Sequence, residues 1–303
     1  MLLDPVATPP GESPPMISTA PSPAQDELQL FRGGVRRGSF LEEVYRYGHV
    51  VRYQTYAGLK SEISRTYLGV AWWLLEPTMA AVTMYVVFGF LLSSAPPNQR
   101  PAGRADFFPF LLVGTFAWQW FHNSAMLAAN SIILKSGVMQ QVYLPKAIFP
   151  LVSILNGTWK FLCTFSVMTV ALWLLGYLPG VTYIALPVIV LVQFAFNLSV
   201  GLPLSVWIPY FRDGTAVIGA VLGFVGMASG IFFRPSQVPA RYAPLVNYNP
   251  LANLLTAYRT VLLDRQWPDW WALGRVALVA AVLLVLGAAM MRRFDLKLAK
   301  IAV

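Results

Sequence analysis

Charge is what this sequence has least of: 12% of its 303 residues are Asp, Glu, Lys or Arg, where a soluble domain carries about a quarter. A water-soluble protein of this length needs a polar surface to stay dispersed, whereas a chain whose outer surface meets lipid does not. Cysteine is nearly absent as well. Cys163 stands alone in an apolar run, with no disulfide partner in the chain and no metal-ligand companion. The two histidines, His49 and His122, are far apart, with no Cys or carboxylate at a helical offset to complete a metal site, so each reads as an interfacial or packing residue. No Gly-x-x-x-x-Gly-Lys-Ser/Thr occurs and no Lys follows a Gly, which excludes a P-loop and leaves any nucleoside triphosphate to a partner. No Gly-x-Ser-x-Gly elbow and no acidic pair within the apolar runs are present, so hydrolase or glycosyltransferase chemistry has little to stand on. The formal charge of +9 is spread between apolar runs rather than gathered on one basic face, and nucleic acid is not an expected partner.

Apolar residues are present in excess, at 57%. A helix needs about 20 of them to cross the hydrocarbon, because each residue rises roughly 1.5 Å through a core roughly 30 Å thick. Six stretches qualify: Gly69 to Ser94, Phe107 to Leu134, Ala147 to Tyr177, Val181 to Pro209, Thr215 to Phe233 and Trp270 to Met291. The expected fold is therefore an all-α polytopic membrane protein with six transmembrane helices, residues 69–303. An even number of spans puts both ends on one side. Placing them in the cytoplasm gives the inner segments twice as many Lys and Arg as the outer ones, as the positive-inside rule requires.

Three further segments complete the organisation. Residues 1–27 are rich in Pro, Ser and Thr, bury too little apolar area to offset ordering entropy, and read as a disordered cytoplasmic tail. Residues 28–68 include an amphipathic interfacial helix, in which Tyr45, Val50, Tyr53, Tyr56, Leu59 and Ile63 recur at helical spacing among charged residues. Between the fifth and sixth stretches, Pro250 to Leu263 is apolar but too short to span, and predicts short re-entrant or interfacial helices. Glu76 and Lys160 are the candidate intramembrane charges, and both read as partners for neighbouring helices.

Read in order, the local motifs resemble the ABC-2 permease family, in its branch exporting O-antigens, capsules and wall teichoic acids. The resemblance is carried by Arg65-Thr66-Tyr67-Leu68-Gly69 with Trp72-Trp73-Leu74-Leu75-Glu76-Pro77 and by the run from Phe110 to Trp118. It continues in Val142-Tyr143-Leu144-Pro145-Lys146-Ala147-Ile148-Phe149-Pro150, Tyr210-Phe211-Arg212-Asp213, Val238-Pro239, Asn249-Pro250-Leu251 and Ala257-Tyr258-Arg259. It covers roughly residues 40–295, with Leu144 standing where the family commonly has Phe.

The resemblance implies a permease subunit of an ABC exporter in the bacterial inner membrane, multi-pass, with both termini cytoplasmic. Two copies of the chain would form one conduit for a lipid-linked polysaccharide, working with two copies of an ABC ATP-binding subunit. That partner would use ATP and Mg, and this chain would bind no cofactor of its own. The alternative is an ABC-2 exporter of a small hydrophobic compound or lipid. On the family pattern, Lys135, Tyr143, Pro145, Lys146, Ile148 and Pro150 would couple ATPase closure to the spans, the prolines stiffening the loop and Lys146 meeting an acidic partner surface. Arg212 and Asp213 would form an inner hinge. Trp72, Trp73, Tyr85, Phe88, Trp118, Trp120 and Phe121 would line the conduit, because sugar rings pack their C–H faces on aromatic rings. Arg52, Lys60 and Arg65 would meet the phosphates of a lipid carrier among the membrane lipids.

Overall fold

A computed structural model describes residues 42, 45–64, 67, 69–90, 107–137, 144–211, 213–234 and 238–301, without the side chains of 88–90, 243 and 295–301. The predicted tail at 1–27 lies outside the described residues, as do Arg65, Tyr143, Arg212 and the side chain of Phe88. Among the described residues every regular element is helical. They are α1 (Gly48–Ser64), α2 (Ala71–Met84, running on as a π-helical turn over Tyr85–Phe90), α3 (Phe107–Leu134), α4 (Ile148–Leu174), α5 (Leu186–Trp207), α6 (Gly214–Ala228), α7 (Ala243–Asn247), α8 (Pro250–Leu262) and α9 (Trp270–Ile301). Short 3-10 turns at Val181–Ala185 and Ile208–Tyr210 extend α5 at both ends.

Three of these helices are long and apolar enough to cross a bilayer: Ile148–Leu174, Val181–Tyr210 and Trp270–Phe294. Their outward faces explain the shortage of charge. Val167, Val170 and Trp173 on α4, Val188 and Leu191 on α5, and Leu278, Val282 and Val285 on α9 are all exposed, a surface that suits hydrocarbon and not water. The α6 helix is apolar but shorter, and ends at Ala228 rather than reaching Phe233 as the sequence suggests. Gly230 follows it with φ of +73°, a left-handed conformation that ends the helix and turns the chain.

At the centre stands α3, whose flanks are taken by α2, α4, α5, α6 and α8. Its buried face is correspondingly wide, running unbroken from Pro109 to Ala117. Polar cross-links tie it in: Gln193 Nε2 on α5 donates to the Ala117 carbonyl at 2.8 Å, and Thr215 Oγ1 on α6 donates to Asn130 Oδ1 at 2.8 Å. Packing is also close where α5 meets α3 and α4. A Cβ at Gly201 would lie 2.8 Å from Ala128 Cβ and 2.9 Å from Ile154 Cδ1, so only glycine lets the backbones approach this closely.

The chain direction sorts the helix ends into two groups. At one end Tyr210 and Phe294 meet edge-on at 5.9 Å, joining the 3-10 turn after α5 to the C-terminal part of α9. At the other, Arg259 of α8 bonds the start of α3 and the chain just after α6, and Arg275 of α9 lies against Tyr248. The α8 helix begins at a side-chain cap, with Asn249 Oδ1 accepting from Leu251 N at 3.0 Å and Pro250 in the first turn, where its missing N–H costs nothing. Thirteen residues give it about 20 Å, too short to span, as the sequence indicates.

Candidate functional site

At the α5/α9 end, the segment that leads into α4 is packed rather than looped. Leu144, Pro145, Lys146, Ala147, Ile148, Phe149 and Pro150 are all buried. Of these, Leu144, Ala147, Ile148 and Phe149 share an apolar cluster with Val51 of α1, Ala128 and Ile132 of α3, Leu198 and Leu202 of α5, and Met291 of α9. Two prolines fix φ at either end of this wedge, so displacing it must displace four helices together. Lys146 departs from the sequence expectation of a charge offered to a partner. It is 2% exposed and its Nζ donates to the Leu144 carbonyl at 3.4 Å. Lys135, in the turn after α3, is exposed, as is Asp213 before α6.

A second constellation stands on the flank of the bundle. Lys160 of α4 forms an ion pair with Glu62 of α1, and its Nζ lies 5.5 Å from the centre of the Trp73 ring on α2. One turn from Trp73, Glu76 Oε1 accepts from Gln119 Nε2 of α3 at 2.8 Å. These groups, with Trp120 and Asn123, line a cavity of about 190 Å³. Two carboxylates against one ammonium make it unfavourable for phosphate. Arg52 and Lys60 stand exposed on α1. The aromatic face of that helix is exposed too, with Tyr53 and Tyr56 pointing away from the bundle and Val51 and Thr55 buried against it.

The structure divides the aromatic residues singled out in the sequence. Trp72 is 51% exposed on α2, and Trp73 is half-buried beside Lys160. Tyr85 packs edge-on against Phe108 at 5.5 Å. Trp118 is half-buried and contacts Phe121 at 5.6 Å. By contrast Trp120 is buried and stacked on Phe161 at 4.1 Å, and Phe121 is buried against Phe196 at 5.5 Å. Those two rings face the interior of the helical bundle and hold α3 to α4 and α5.

The far end of the bundle contains a residue whose role the sequence did not reveal. Arg259 is buried, and its guanidinium donates to three backbone carbonyls: Phe110 at 3.1 Å, Gly230 at 2.7 Å and Ile231 at 2.9 Å. Its Cζ lies 3.5 Å from the centre of the Phe110 ring. A Cβ at Gly114 would fall 2.1 Å from Arg259 Nη2, so the guanidinium occupies the room that a side chain there would fill. Burial, assisted by the charge of nearby Arg234, lowers its pKa to about 9, which leaves it protonated at neutral pH.

Residues 53–263 match the family described as ABC-2 type transporter. The chain belongs to the ABC-2 type transporter family. Among its relatives are two proteins of Klebsiella pneumoniae, each named O-antigen export system permease protein RfbA. They are 25% and 24% identical over 207 residues, which is 68% of this chain and 77% of each relative. A Myxococcus xanthus protein of the same name is 25% identical over 247 residues, or 80% of this chain and 92% of its own length. The matched region of this ABC-2 protein runs from α1 to the end of α8, so it takes in the wedge, the flank cavity and the Arg259 clasp, and stops before α9.

Proposed function

We propose that this ABC-2 protein is the membrane-spanning subunit of an exporter that moves a lipid-linked polysaccharide across the inner membrane, driven by ATP hydrolysis in a separate subunit. The observation that carries this reading is the shared name of its relatives, each an O-antigen export permease matched over two thirds or more of both chains. In this arrangement α2, α3 and α6 join the three long apolar helices as spans, giving six, with both termini cytoplasmic and α1 lying in the inner headgroup layer. Two copies form the conduit, and each meets one ATP-binding subunit.

The geometry supports a defined division of labour. The wedge from Leu144 to Pro150 lies at the end assigned to the cytoplasm, where a closing ATPase pair would press on it. Because its apolar contacts reach α1, α3, α5 and α9, a push there moves the bundle as a unit, and the two prolines limit how much of it is absorbed locally. The exposed tyrosines of α1 anchor that helix at headgroup depth, while Arg52 and Lys60 offer cations to a lipid diphosphate. Trp72 and Trp73, in the first turn of α2, remain the rings best placed to meet a passing sugar chain.

The test is controlled depletion of the protein in its host, with lipid-linked glycans extracted and surface polysaccharide labelled in the same cells. Loss of surface polymer with accumulation of its lipid-linked form supports the reading and identifies the glycan. Unchanged pools overturn it and leave export of a small hydrophobic compound or lipid as the better assignment.

A further inference from the structure

Between α7, α8 and the start of α9 lies an open cleft of about 720 Å³ that neither the wedge nor the flank cavity involves. Its size is that of a small-molecule site, about 300–1,000 Å³. Its lining combines two aromatic rings, Tyr248 and Trp267, with planar or hydroxylic polar groups, Asn253, Thr256, Asp269 and Arg275. The loop that supplies Trp267 has a fixed shape. Arg265 adopts φ of 54°, Gln266 N donates to the Thr260 carbonyl at 3.0 Å, and the Trp267 ring rests against Trp270 at 6.3 Å. Together these bring the loop back along α8.

The polar groups are oriented but only partly used. Asp269 Oδ1 accepts from the amides of Trp271 and Ala272 at 2.9 and 3.1 Å, capping α9, and its second oxygen remains open. Asn253 Nδ2 donates to the Asn247 carbonyl at 3.0 Å, which leaves its amide oxygen. The Arg275 guanidinium lies 5.7 Å from the centre of the Tyr248 ring and makes no hydrogen bond or ion pair with the described residues. Its five N–H donors thus sit beside an aromatic ring without being satisfied by it. Both large rings are exposed, Tyr248 at 73% and Trp267 at 53%.

Open acceptors, fixed donors and exposed aromatic faces in one cleft match a ligand with alternating apolar C–H faces and ring hydroxyls. A lipid tail would leave the polar groups unpaired, and a phosphate would meet Asp269 beside Arg275 without a net positive charge. We propose that this cleft binds one or two sugar units of the exported polymer at the end of the bundle opposite the wedge, holding the emerging chain on the outer side. This rests on the polysaccharide reading and on the orientation given with it.

The experiment uses the full chain assembled with its ATP-binding subunit in lipid nanodiscs. The probe is the water-soluble polysaccharide that mild acid releases from the host's own lipid-linked glycan, and binding is followed by isothermal titration and saturation-transfer NMR. Trp267→Ala and Arg275→Gln are expected to weaken binding about tenfold each, the scale of one lost stacking or charged hydrogen-bonding contact, with Trp267→Phe restoring most of it. Export of labelled polymer should slow in the same order. If the depleted host loses surface polymer but the wild-type assembly does not bind the probe, or both variants bind it as wild type does, the cleft proposal is overturned while polysaccharide export stands. If depletion leaves the polymer unchanged, the export reading fails and this inference fails with it.

Discussion

Arg259 Nη1 meets the carbonyl of Gly230 at 2.7 Å, and through that bond α8 holds the chain immediately after α6. Arg259→Met would leave the carbonyls of Phe110, Gly230 and Ile231 buried without their donor. A loss of about 3 kcal/mol or more is expected, read as a large drop in the thermal transition of the purified protein in detergent. Gly114→Ala should have the same effect by ejecting the guanidinium, and the double variant should be little worse than either single one, because the two residues share one space. Additive losses would show that the clasp is not a unit.

Trp120 and Trp72 are expected to behave as opposites. Trp120→Ala removes a ring stacked at 4.1 Å on Phe161 in the interior and should cost about 3–5 kcal/mol. Trp72 is half exposed, and Trp72→Ala should change stability by less than about 0.5 kcal/mol while slowing export. Equal stability losses for the two, or normal export by the Trp72 variant, would count against the division between interior and conduit.

The ion pair between Lys160 and Glu62 joins α4 to α1. Since both side chains are partly exposed, each charge reversal alone should cost only about 0.5–1 kcal/mol. The swap, Lys160→Glu with Glu62→Lys, should recover most of that. The sensitive readout is protease cleavage within α1, which should speed up in each single variant and return towards wild type in the swap.

Pro145→Gly and Pro150→Gly loosen the wedge without deleting an apolar group. In the reconstituted assembly, ATP hydrolysis is expected to continue near its normal rate while polymer export falls severalfold, because a flexible backbone absorbs the displacement. Parallel loss of both activities would point to misfolding, and loss of neither would remove the wedge from the coupling path.

Much of the helical layout was legible from apolar run lengths. Phe107 to Leu134 is read with the same bounds in sequence and structure, and the short run from Pro250 is a helix too brief to span. What periodicity does not carry is the choice of long-range partner. Lys160 looks in the sequence like one charge in an apolar run, and nothing near it designates Glu62, 98 positions away. Arg259 looks in the sequence like one more cation among those spread between apolar runs, yet it is buried, because three carbonyls and a ring replace its water. Lys146 lies in a proline-bounded stretch that reads as a loop but is packed on all sides. Trp120 and Phe121 share an aromatic run with Trp118, and only the packing of α3 decides which rings face inward.

The α3 helix is enclosed by five neighbours and carries Gln119, His122, Asn123, Ser124 and Asn130 along its length. Such a segment gains little by leaving the translocon alone, since its polar groups would face lipid before their partners exist. In the six-span arrangement its membrane integration must wait for α4 and α5, which supply Phe161, Gln193 and the rest of its surroundings. A ribosome-bound chain truncated after residue 137 would therefore hold α3 loosely or not at all, and one extended through α5 would retain it. On that six-span reading, biogenesis would proceed by delivering a helical hairpin and its companion together, rather than one span at a time.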